Sequence, residues 1–357
     1  MNAGSIWWGQ IGNSLKLISR ISNSLQDCQS AVLHIPENFP WKQQFYDAVD
    51  HRRRSFGGER SMIRKQWIPN ADPGMFILYD LDDLCSPEIQ ADYWPGQTPA
   101  AYLAGRTDAA LHDYYIWITG IHSKQDMAKW AEFTSEFTKT VNDVRKSAVF
   151  ILEYDGSEAA FQNVPVISYH IEEYDCRVYA LEASAELENS SLRSYQAEMA
   201  LSICQCDPEL CYELLLLGDK LLKDTQEAVQ SVLSEARSSS GKRFQHMTES
   251  QIESAAWEAA IILMFPILER VRLHIIEKYA ADLKKCLPIT NSYDEKVTEV
   301  CDLEINNLSF ISNRSGTFFS PYDADMVRFC RSVRNQIAHN RIIPFKDAQK
   351  LFGLTFR

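Results

Sequence analysis

A chain of 357 residues, 45% hydrophobic and 24% charged, is long enough for two domains that each bury a core, and its composition argues against wholesale disorder. Its formal net charge of −12 excludes a whole-surface electrostatic grip on nucleic acid. Nine cysteines without paired spacing, and no secretory leader, point to a reducing cytoplasm; the longest apolar run, Ala259 to Leu268, is too short to span a bilayer.

In chain order, Ile6-Trp7-Trp8 leads into an amphipathic helix pattern, Ile11, Leu15, Ile18, Ile21 and Leu25. A short apolar strand follows over 30–35, then the loop Pro36-Glu-Asn-Phe-Pro-Trp-Lys42 and a helix over 43–54. Further strands are predicted over 62–68, 75–83, 114–119, 148–153 and within 164–176, with a helix over 124–141. The strand over 75–83 ends in Asp80, Asp82 and Asp83. Apolar strands alternating with helices predict a doubly wound, mostly parallel sheet.

That order resembles an ASCE-type P-loop NTPase. The resemblance places Asp80, Asp82 and Asp83 in the Walker B region and Thr119 at the sensor position. Where a phosphate loop carries Gly-x4-Gly-Lys-Ser/Thr, this chain has two prolines, no glycine and Glu37, with Lys42 a poor substitute for the conserved lysine. The N-terminal domain, 1–175, therefore reads as a degenerate NTPase-like domain used for binding, expected neither to hydrolyse ATP nor to bind it with useful affinity, and no cofactor is expected. Acids ending a strand or facing a partner are the alternative to a metal role.

From 176 to 236 the pattern is helical, with Leu210, Leu214, Leu217, Leu221 and Leu222 in phase, as in the helical lid that follows the sheet in many NTPases. Cys204, Cys206 and Cys211 form the only cysteine cluster; no second Cys/His pair lies near it, so buried thiols are expected rather than a metal site. A polar linker is predicted over 237–247.

The last domain, 248–357, is expected to be an α-helical bundle. Its first helix runs from the Thr248/Gln251 capping box to about Cys286, with Pro266 kinking or dividing it. A second covers 294–308. A third covers about 320–340, capped by Ser320 with Pro321 at its first position. On it Met326, Phe329, Cys330, Val333 and Ile337 share one face, while Arg328, Arg331, Asn335 and His339 lie opposite and Arg334 sits on the border. A short helix over 344–352 closes the chain. The segment from Met326 to Arg357 holds seven basic residues and one acid, compatible with local nucleic-acid contact and equally with a solvated basic face.

Arg334-Asn335 followed by His339 on a late helix resembles the HEPN superfamily, over roughly residues 245–357. The resemblance implies a metal-independent ribonuclease with Arg334, Asn335 and His339 as catalytic residues, completed by dimerisation. Arg331, Arg328 and Arg341 are expected to contact RNA, and Arg331 could replace Arg334 at the phosphate. Arg334 and His339 lie about 140° apart on an ideal helix, so Arg334 could instead bridge to Glu304, Glu258 or helix carbonyls within its own bundle. His274 reads as a structural or surface residue. By analogy with conflict systems, an NTPase-like body fused to such a tail implies a bacterial defence or toxin effector, whose acidic N-terminal domain contacts other protein components. A non-catalytic dimerisation or adaptor module is the other reading.

Overall fold

The alternating apolar segments of the N-terminal half become a five-stranded parallel sheet in the computed structural model, which describes residues 3–55, 60–81, 83–157, 161, 163–290, 296–314 and 318–354. The chain divides into two compact units, Met1–Asp175 and Cys176–Arg357.

In the first unit, α1 (Ala3–Gln10) and α2 (Gly12–Gln26) precede β1 (Ala31–His34), α3 (Lys42–Arg54) and β2 (Ser61–Gln66). Then come α4 (Pro73–Met75), α5 (Pro87–Asp92), α6 (Pro99–Gly105), β3 (Tyr114–Ile121), α7 (Lys124–Thr140), β4 (Val149–Tyr154) and β5 (Val166–Ser168). The strand order is β2-β3-β4-β1-β5, with β1 paired to β4 through Ala31–Ile151 and to β5 through Val32–Val166. Side chains alternate across the strands, so both faces are apolar and both are covered. Val32, Ile116, Ile118, Phe150 and Leu152 join one core with Trp130 and Phe133 of α7. On the opposite face Trp117 packs edge-on against Phe45 and Tyr46 of α3, at 5.9 and 5.3 Å between ring centroids.

The strand expected over 75–83 is not one. Asp72 accepts hydrogen bonds from the Gly74 and Met75 N–H groups, Pro73 occupies the first helical position, and the chain continues as a π-helical turn, Phe76–Asp80. A continuous run of buried residues, Phe76, Ile77 and Leu78, carries no period that separates strand from helix. Asp80 and Asp83 are exposed on and after this turn, with Lys65 3.2 Å from Asp83; Asp82 lies outside the described residues. Asp80 and Asp83 therefore do not end a strand of the sheet. Thr119 does lie on a strand, β3, where its hydroxyl is 3.1 Å from Oε1 of Gln66.

In the second unit, α8 (Glu173–Leu187, its first turn straddling the boundary), α9 (Arg193–Cys204), α10 (Pro208–Leu216), α11 (Asp219–Lys223) and α12 (Thr225–Glu235) precede α13 (Glu249–Lys278). α14 (Ala280–Lys285), a two-stranded ribbon of β6 (Ile289–Thr290) and β7 (Lys296–Val297), α15 (Ile305–Ser312), α16 (Pro321–Ala338) and α17 (Phe345–Phe352) complete it. α9 and α12 pack on α13, so the helices read as a lid share a unit with the C-terminal helices. The polar stretch between them is a closed loop: Arg237 and Arg243 bridge, and the Glu209 carboxylate accepts from the Ser239 N–H at 2.6 Å.

α13 starts at the Thr248/Gln251 capping box and passes through Pro266 without dividing. Pro266 sits on the exposed side, where the missing backbone donor leaves the buried face intact. The helix expected over 294–308 is also displaced. Residues 291–295 lie outside the described residues, β7 and a 3-10 turn (Val300–Asp302) follow, and α15 begins only at Ile305, where Oδ1 of Asn307 accepts from the Glu304 N–H.

Candidate functional site

The loop between β1 and α3 is where a phosphate would be held if the first unit bound a nucleotide. It turns the wrong groups inward. The Trp8 indole donates to the carbonyls of Pro40 and Trp41 at 3.1 and 3.2 Å, and its ring lies 5.1 Å from Phe39 and 4.8 Å from Phe45. Carbonyls face this filled space, whereas an anion needs backbone N–H groups. Trp41 takes a left-handed conformation, φ 40°, at the helix entry. Lys42 pairs with Glu153 of β4, which is 3% exposed and also accepts from Tyr46 at 2.7 Å and Trp117 at 3.2 Å. Burial and the neighbouring Glu153 carboxylate push the Tyr46 phenol far above its usual range, so it stays a donor.

In the second unit, α16 is built as its spacing predicts. Ser320 accepts from the Asp323 N–H at 3.1 Å and Pro321 fills the first position. Met326, Val327, Cys330, Val333 and Ile337 are buried, and burial pushes the Cys330 thiol up to about 12. Phe329 is half-buried beneath the Lys350 ammonium, 4.2 Å from its ring. At the other end the Trp257 indole of α13 donates to the Ile337 carbonyl at 2.7 Å, clamping the last turn. This clamp has no sequence signal, because a tryptophan 80 residues away is paired with a main-chain group.

The outward face is open. Arg331 and His339 are exposed and Asn335 is half-buried; among the described residues none of the three side chains has a hydrogen-bond partner. His339 caps the C-terminus of α16, and Asn340 turns the chain at φ 53°. Arg328 differs, because Asp325 and Asn313 hold its guanidinium. Arg341 is exposed beyond the helix end.

Arg334 departs from this face. Its Nη2 lies 3.9 Å from Oε2 of Glu304, at the rim of a hollow of about 350 Å³ lined also by Phe265, Leu268, Glu269, Arg272, Cys301, Asp302 and Ile305. The hollow comes from three elements far apart in sequence. Arg272 shapes its floor by bonding Glu269 at 2.8 Å and the carbonyls of Cys301 and Leu303 at 2.9 and 3.1 Å, which pins the 3-10 turn to α13. α16 therefore carries two distinct surfaces, one with His339 and Arg331 and one with Arg334.

Of the cysteine cluster, Cys204 and Cys211 are buried and Cys206 half-buried. The adjacent Cys204 thiol and burial raise the Cys211 thiol well above its usual value, so it stays protonated. Among the described residues no group of three His, Cys, Asp or Glu side chains could hold a metal ion, and no helix is long and apolar enough to cross a membrane. Comparison with known protein families, curated proteins and solved structures finds no match.

Proposed function

We propose that the second unit is a HEPN-type ribonuclease effector of a bacterial defence or toxin system, and that the first unit is a nucleotide-free, NTPase-like regulator. The observation that carries this reading is the unpartnered outward face of α16, where Arg331, Asn335 and His339 stand on a basic segment of an acidic chain. A side chain with no partner of its own is available to a substrate, and histidine titrates near neutrality.

Metal-independent RNA cleavage uses the 2′-hydroxyl as nucleophile. Its oxygen bonds to the adjacent phosphorus while a base takes its proton. The P–O5′ bond then breaks as an acid protonates the leaving oxygen, giving a 2′,3′-cyclic phosphate and a 5′-hydroxyl. His339 serves as one of these proton-transfer groups, Arg331 neutralises charge on the phosphorane and Asn335 orients the phosphate. One α16 offers a single histidine, so a second copy of the chain is needed to supply both acid and base.

For the first unit, a parallel sheet in which β1 has neighbours on both sides, followed directly by a loop and a helix, supports an NTPase-like ancestry. The Trp8-filled loop and the committed Lys42 favour a domain that binds protein components instead of ATP. A second reading, a non-catalytic adaptor, is favoured by one observation: Arg334 faces Glu304 inside its own unit.

The deciding experiment incubates the full chain with single-stranded RNA in EDTA. Cleavage ending in 2′,3′-cyclic phosphate, lost in His339→Ala at unchanged melting temperature, is the expected result. Full biological activity in His339→Ala overturns the catalytic reading.

A further inference from the structure

The hollow beside Arg334 has the composition of a recognition site and no role in the chemistry above. Phe265 on α13 is 50% exposed, and with Leu268 and Ile305 it gives the hollow apolar walls. Its two arginines are not equivalent. Arg272 is committed to Glu269 and to two carbonyls, so it is part of the wall. Arg334 and Glu304 lie 3.9 Å apart, beyond hydrogen-bond range, with side chains 37% and 67% exposed. The Glu304 carboxylate also accepts from the Asn307 N–H in the capping box of α15, which occupies one of its lone pairs and leaves the others. A guanidinium fork and a carboxylate thus stand side by side at the rim, each with bonding capacity left over.

Such a pair is selective among the nucleobases. A carboxylate accepts two parallel N–H bonds, and a guanidinium donates two. Guanine offers N1–H and N2–H on one edge and the acceptors O6 and N7 on the next, so it can satisfy both groups in bidentate fashion. Cytosine has one exocyclic donor group for the carboxylate, adenine interleaves donor and acceptor, and uracil has one donor between two acceptors. A splayed base of single-stranded RNA needs an aromatic or apolar surface to stack on, which Phe265 provides. A hollow of about 350 Å³ is at the small end of ligand pockets, suited to one base.

We propose that the hollow formed by Phe265, Glu304 and Arg334 is a nucleobase subsite that takes guanine, so that RNA is cut beside this base. The inference rests on the ribonuclease reading for its consequence, but base binding does not depend on cleavage. Arg334 then acts as a specificity residue and Arg331 as the phosphate contact.

The test titrates the full chain with GMP, AMP, CMP and UMP by calorimetry, the shared phosphate cancelling between them. GMP should bind at least tenfold more tightly than the other three. Glu304→Gln should bring GMP to their level, and Phe265→Ala should weaken all four without changing their order, both with melting temperatures near wild type. Equal affinities in the wild type, or a GMP preference that survives Glu304→Gln, overturn the subsite. Should either variant not fold, the wild-type order of affinities still decides. Cleavage without preference for guanine refutes the subsite and leaves the ribonuclease; a GMP preference without any cleavage does the reverse.

Discussion

Lys42, at the head of the helix that follows the first strand, is ion-paired with the buried Glu153 of the adjacent strand β4. Its charge neutralises a carboxylate inside the protein and is not available to an outside phosphate. With Trp8 filling the loop above it, the first unit should not bind ATP. Calorimetry is expected to show no heat of ATP binding; micromolar affinity abolished by Asp80→Ala would refute the closed-loop account.

The same pair predicts a stability effect. Lys42→Met leaves the Glu153 carboxylate with Tyr46 and Trp117 as donors and no cation. Because Lys42 is 40% exposed, water offsets part of the loss, and a destabilisation of about 2 kcal/mol is expected. Thermal melting of the variant measures it, and an unchanged melting temperature would make the pair energetically silent.

Asp323 predicts a pH dependence in the second unit. Burial opposes its charge, but hydrogen bonds from Tyr279 at 2.6 Å and Ser320 at 2.7 Å, with Lys278 at 3.0 Å, outweigh it and hold the carboxyl below the usual range. A depressed folded value means the stabilisation is fully present above the ordinary aspartate value of about 3.9 and is lost as pH falls through the lower folded one. Asp323→Asn should cost about 2 kcal/mol near neutrality. The gap between variant and wild type should close in acid, as read by melting curves from pH 7 down to about 2.

The arginines of this unit should separate by role. Arg331→Ala should lower RNA cleavage at least tenfold with no change in melting temperature, since its side chain has no partner among the described residues. Arg334→Ala should alter base preference more than rate, and cost less than about 1 kcal/mol because its pair with Glu304 is long and exposed. Arg272→Ala should be the unstable one, since it releases Glu269 and two carbonyls together. Equal melting temperatures for all three would contradict this division.

Fragment boundaries offer a further check. Residues 176–357 should fold alone, whereas a fragment starting at 245 should not, because it strips α9 and α12 from α13. Circular dichroism of the two fragments decides. For the full chain, light scattering should show a dimer at micromolar concentration; a strict monomer would leave the proposed site with one histidine.

Helix α16 was legible because its determinants are local. A cap at Ser320, a proline at the first turn and a 3.6-residue apolar period act within 20 residues, and the Thr248/Gln251 box works the same way. The strands β1, β3 and β4 were legible for similar reasons, as short apolar runs between polar turns. The segment Phe76–Leu78 was not, because an unbroken apolar run has no period; the Asp72 cap and the surrounding core made it helical.

Which buried face meets which neighbour is absent from any periodicity. The pairing of Lys42 with Glu153, the Trp257 clamp on Ile337 and the Arg272 pin on Cys301 and Leu303 each join residues from separate elements. The sequence by itself determined that Arg334 would sit at a helix border, with Glu304 among its candidate partners. Only the packing of α13, α15 and α16 decided that Glu304 is the one beside it and that a hollow opens between them, because their separation depends on how three helices fill one core.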